Sequence, residues 1–174
     1  MNYMEKFLTK IGRLTSTKDI KGDILKEIEN EVNSYDMIKN VSFVVNRTVL
    51  ANHTSIIAIG MNTKKDTIEF TDVLHLKEDL KINLDLETLQ NTIDVIYCVI
   101  GVDKLYTLND IIGTEISLTE LNTTNIMNTK TFCSHTLCKI VNVKDRYLIP
   151  FKLVYDEEWK IVVVGESFES LNDI

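Results

Sequence analysis

Proline occurs once and glycine six times in 174 residues. With so few chain breakers there is no Pro-, Gly- or Ser-rich linker, so a single domain spanning 1–174 is expected. Cysteine is also scarce, at three, an odd count without framework spacing. That excludes a disulfide-stapled scaffold and favours a reducing compartment, the cytoplasm (host cytoplasm or virion if the source is viral). No apolar run approaches the length of a membrane span, and the first residues lack a signal-peptide layout, so no membrane partner is expected. Basic residues are outnumbered, 19 Lys and Arg against 26 Asp and Glu, for a net charge of −7. A general nucleic-acid binder needs a basic footprint, and that class is set aside. There is no Gly-rich phosphate loop, no His-Glu metal helix and no Gly-x-Ser-x-Gly elbow, so no cofactor is expected.

What is present is an ordinary globular composition, 44% hydrophobic and 26% charged. Richness in Ile, Asn, Lys and Thr suggests an AT-rich coding genome, as in a low-GC bacterium, a phage or a large DNA virus. Asn46, Asn52 and Asn122 stand in Asn-x-Thr sequons that such a composition produces by chance.

The strongest local signal lies in residues 141–164. Tyr147, Ile149, Phe151, Leu153 and Tyr155 alternate onto one face of an extended chain, and Trp159, Ile161 and Val163 continue it. Asp156, Glu157 and Glu158 form the turn of a hairpin between them. Burying those eight side chains would contribute on the order of 10–25 kcal/mol before entropy, so the face must be internal. Pro150 cannot donate to a ladder, which places its strand at an edge or a bulge. The second strand, ending at Val164, is the better candidate for a central position, with Gly165 breaking it and 166–174 a polar tail.

Helical periodicity appears at the N-terminus. Met4, Phe7, Leu8, Ile11 and Leu14 make an apolar stripe on a short first helix, and 1–15 is the candidate partner-binding segment. A second helix, capped by Ser16 or Thr17, buries Ile20, Ile24, Leu25, Ile28 and Val32. Residues 41–45, 55–59 and 67–76 read as three strands of an antiparallel meander, with a bulge near Val73 and Leu74. Residues 83–102 fit both a helix and a buried strand. Asp85 as cap and Leu84 as staple favour a helix over 85–100, with Asp94 on its surface. Leu105 to Ile112 adds a helical turn stopped by Gly113, and 115–118 and 131–143 add strands.

Two groups of residues carry potential chemistry. Cys133, His135 and Cys138, with Cys98 as a fourth, are the ligand types zinc prefers. On a continuous strand Cys133 and His135 share a face and Cys138 lies on the other, so no metal site is expected. His53-Thr-Ser55 and His135-Thr-Leu137 resemble the paired His-x-Ser/Thr elements of the 2H phosphoesterases. That resemblance implies acid–base roles for His53 and His135, with Ser55 holding phosphate. Leu137 departs from the pattern where the second hydroxyl belongs.

The sequence thus predicts one α+β domain, a mostly antiparallel sheet packed on a central helix over 85–100, with two N-terminal helices. The expected role is non-enzymatic. It is that of a protein-binding or structural assembly protein, of phage or viral accessory type, acting through a protein partner or self-association. The alternative is a phosphoesterase-like or metal-binding enzyme using His53, His135, Cys133 and Cys138.

Overall fold

Period two, not 3.6, governs the chain. The structure, a computed structural model, describes residues 25–27, 38–46, 50–76, 79–120, 131–140 and 142–169. In chain order the strands are β1 (Leu25–Glu27), β2 (Asn40–Asn46), β3 (Thr54–Met61), β4 (Thr67–Phe70), β5 (Leu74–Leu76) and β6 (Asp79–Asp85). A one-turn helix α1 (Leu86–Leu89) leads to β7 (Val95–Val102), β8 (Glu115–Glu120), β9 (Thr131–Leu137), β10 (Tyr147–Asp156) and β11 (Glu158–Phe168). Short 3-10 turns occur at Ala51–His53 and Leu108–Ile111.

Among the described residues the strands make two sheets, ordered β1-β9-β8-β2-β6-β5 and β11-β10-β7-β3-β4. Every pairing is antiparallel. One face of each sheet packs on the other. Val41, Phe43 and Val45 of β2 and Ile116 and Leu118 of β8 share a core with Ile96, Cys98 and Ile100 of β7 and with Phe151 and Leu153 of β10. The architecture is a β-sandwich. Trp159 ties the layers together, its indole N–H donating to the Leu86 carbonyl at 3.1 Å.

The expected α+β fold is therefore corrected. Asp85 does open a helix, but α1 ends at Leu89, whose carbonyl accepts from the N–H groups of Thr92 and Ile93 at 3.0 and 2.9 Å. The β-branched run that follows is strand β7, buried along nearly its whole length. Such a run has no polar face because both faces of the five-stranded sheet are apolar. The second face gathers Ile59, Tyr97, Val99, Ile149, Val164 and Phe168 into a separate buried cluster. Asp94 is not a helix surface residue. Its carboxylate accepts from the Thr63 N–H at 2.8 Å, and its carbonyl accepts from the Tyr155 N–H at 2.8 Å. The second N-terminal helix is overturned where it is described, because Leu25–Glu27 pairs as a strand with Leu137, Thr136 and His135. Tertiary pairing overrides a favourable helical period there. The first helix, 1–15, lies outside the described residues.

The hairpin forms as read, with Asp156 opposite Glu158 and Glu157 at φ 65° in the turn. Its details differ. Pro150 sits at a bulge, and the register shifts there against both β11 and β7. The bulge turns Tyr147 and Ile149 onto the outer cluster while Phe151 and Leu153 face the sandwich core. The expected single face is thus two. β10 is the inner strand and β11 the edge, and β11 runs on through Gly165 to Phe168 instead of stopping. Residues 67–76 are likewise not one bulged strand. Thr71 to Val73 carry the chain from one sheet to the other, from β4 to β5.

Candidate functional site

Of the sequence-predicted residues Cys98 and Cys133 come near each other in the core, and the others do not converge with them on one site. His135 is buried on β9, its ring edge-on to Phe151 at 5.5 Å between centroids. Cys133 and Cys98 are also in the core, one on each sheet, whereas Cys138 is exposed beyond the end of β9. Burial pushes the Cys98 thiol far above its ordinary range, and the neighbouring Cys133 adds to this. Such a thiol stays protonated, the form least suited to binding metal. Among the described residues no group of three or more His, Cys, Asp or Glu is placed to hold a metal ion. The stripe Met4, Phe7, Leu8, Ile11 and Leu14 lies outside the described residues.

His53 ends the 3-10 turn before β3, on the sheet opposite to that of His135. Its Nδ1 lies 3.0 Å from Asp103 Oδ2, and its ring stacks obliquely on Tyr106 at 4.9 Å. The backbone holds this arrangement, since the Asp103 N–H donates to the His53 carbonyl at 2.9 Å. Ser55 is exposed two residues further along. An aspartate on one ring nitrogen fixes the orientation of an imidazole and leaves the other nitrogen outward.

A different place, not singled out in the sequence, is concave and half open to solvent. β4 and β5 are the outermost strands of their sheets on the same side of the sandwich, joined by 71–73. Between them opens a cleft of about 390 Å³ lined by Glu69, Phe70, Thr71, Asp72, Leu74, Ile82 and Asn83. Ile82 is fully buried and Phe70 partly so, which makes an apolar floor. Glu69 and Asp72 supply an acidic rim. Ile68 and Leu74, at 41% and 44% exposed, stand on the two edges. Among the described residues no strand pairs with the outer edge of either.

The β4 edge is held firmly by its turn. Asn62 Oδ1 accepts from the N–H groups of Lys64 and Asp66 at 2.9 and 3.0 Å, and Lys65 adopts φ 64°. Asp94 pins the same turn through Thr63. Gly60 lets Ile93 and Phe70 close over β3, since a Cβ there would lie 3.1 Å from Ile93 Cγ2. The sequence signal that could have found the site was the slipped alternation at Val73 and Leu74, read as a bulge when it is the crossing between sheets.

These features define the chain as an antiparallel β-sandwich with one open, acidic-rimmed side. Among solved structures it is similar to SAV2460, a protein of unknown function, with a TM-score of 0.51 and 12% identity over 78% of this chain and 92% of that one. A homologue of the telluride resistance protein TerD from Streptomyces coelicolor A3(2) aligns at a TM-score of 0.49 and 12% identity, over 76% and 92%. The likeness to SAV2460 concerns the fold alone, and the second alignment carries no further weight. No protein-family model and no curated protein matches the chain.

Proposed function

We propose that this chain is a non-enzymatic binding module that captures an extended polypeptide segment on the open side formed by β4 and β5. The cleft between the two edge strands carries the reading. An edge strand offers unpaired backbone N–H and C=O groups, and an added strand supplies their partners. The apolar floor of Phe70 and Ile82, with Leu74 at its edge, accepts an aliphatic side chain, and Glu69 and Asp72 favour a cationic neighbour. The occupant is a segment alternating aliphatic and basic residues, from a protein partner or from a second copy. Such a mode suits an assembly or accessory protein, phage- or virus-encoded as the composition suggests.

A synthetic peptide of alternating valine and lysine tests this, with a valine–glutamate peptide as control. Amide NMR shifts are expected at 67–76 and 80–83 with the basic peptide alone. Ile68→Lys and Glu69→Lys should each weaken binding by tenfold or more, a loss of about 1.4 kcal/mol. Absence of shifts, or shifts confined to His53 and Asp103, would refute the proposal.

A second reading, an acid–base enzyme, is favoured by the His53–Asp103 pair. It becomes the leading one if wild-type protein hydrolyses a cyclic or 2′,5′-linked phosphate and His53→Ala abolishes that activity.

A further inference from the structure

One apolar face of the five-stranded sheet is covered by the six-stranded sheet. The other carries Ile59 of β3, Tyr97 and Val99 of β7, Ile149 of β10, and Val164 and Phe168 of β11, packed as one cluster across four adjacent strands. All six are between 1% and 5% exposed. A sheet face open to water could not hide them, so some part of a chain lies over it.

Among the described residues no element supplies that cover. Every strand belongs to one of the two sheets. Leu86 of α1 and Leu108 and Ile111 of the second 3-10 turn are in the inner core, and Leu50, before the first turn, packs on it. Outside the described residues the internal segments are at most ten residues long, and the two of that length, 28–37 and 121–130, each leave and re-enter the six-stranded sheet. Ten residues reach at most about 36 Å, whereas passing the other sheet and returning takes roughly 40 Å before anything is covered, at about 10 Å for each layer crossed. Residues 170–174 offer only Leu171 and Ile174 as apolar side chains, too few for a cluster on four strands.

The chain before Leu25 meets both requirements. β1 and β11 are the outermost strands of their sheets, on the side away from β4 and β5. A chain leaving β1 reaches the outer face past β11 in a single passage of roughly 20 Å, and residues 15–24 extend to about 33 Å. Dimensions agree as well. A helix rises about 15 Å from Met4 to Leu14, and four strands lie about 14 Å across. We propose that the outer face of the five-stranded sheet is the docking surface of the chain's own residues 1–15, with Met4, Phe7, Leu8, Ile11 and Leu14 laid across β3, β7, β10 and β11. So short a helix is marginal alone, and the face it covers stabilises it. The five-stranded sheet is then the middle of three layers, and the stripe is used within the molecule instead of on a partner.

A nitroxide spin label tests this in the full chain. Thr9 lies opposite the stripe at helical spacing, so Thr9→Cys carries the label, with Cys138→Ser removing the exposed thiol. In nitrogen-15 NMR spectra, amides of β3, β7 and β10 are expected to lose most of their intensity relative to the reduced label, while those of β2, β6 and β8, a sheet further away, keep theirs. Phe7→Ser with Ile11→Ser in the same labelled chain should restore the lost signals, with the β2 and β8 resonances unmoved. Absence of broadening, broadening centred on 67–76, or broadening that survives the two serines overturns the proposal. So does broadening of unlabelled nitrogen-15 protein by labelled nitrogen-14 protein at the same amides, which would assign the face to a second copy.

Discussion

Trp159 is the residue on which both layers depend. It is buried, it belongs to the sandwich core, and its N–H reaches the carbonyl of Leu86 at the start of α1. Trp159→Ala should cost about 3–5 kcal/mol in a urea melt, from lost burial and the cavity left behind. Trp159→Phe keeps most of the apolar volume and should cost about 1–2 kcal/mol, chiefly the hydrogen bond. The core position of Trp159 was legible in the sequence because alternation along one strand is a local signal. The role of Asp94 was not, because its partner Thr63 lies 31 positions away. His53 was singled out for a short motif, yet the group that orients it, Asp103, comes from the far end of another strand. The cleft residues Glu69 and Asp72 looked like ordinary surface acids until two sheet edges were placed beside them.

At the scale of the element, the β10–β11 hairpin was legible and the bulge at Pro150 was allowed for. What the bulge does was not, since only the register against β7 and β11 reveals that it moves Tyr147 and Ile149 to the opposite face. Deleting Pro150 would remove the extra residue against β7 and leave Tyr147 and Ile149 outward with Leu148, Phe151 and Leu153 in the core, so the outer and inner faces should survive the deletion. The segment 85–100 shows the opposite failure. Asp85 does stand at the N-cap position of α1, but its side chain makes no capping hydrogen bond, and a start says nothing about length. The β-branched run after Ile93 went to a strand buried on both faces, which periodicity cannot distinguish from a buried helix.

Over the whole molecule, strand order is what the sequence concealed. β1 pairs with β9, β2 with β8, and β3 with β7, so neighbours in space are far apart along the chain. Closing such contacts is entropically slow, and refolding followed by Trp159 fluorescence should fall in the range of milliseconds to seconds. A main phase of microseconds would contradict this topology. The same packing sorts the cysteines. Cys98 and Cys133 are enclosed between the sheets, while Cys138 stands exposed next to Lys139 on the lysine-bearing loop. A maleimide dye applied to the folded protein would therefore attach at one position without mutagenesis. Placed just past the end of β9 and far along the chain from the β4–β5 cleft, that dye becomes a native optical reporter of whether a ligand has found the cleft or the loop after β9.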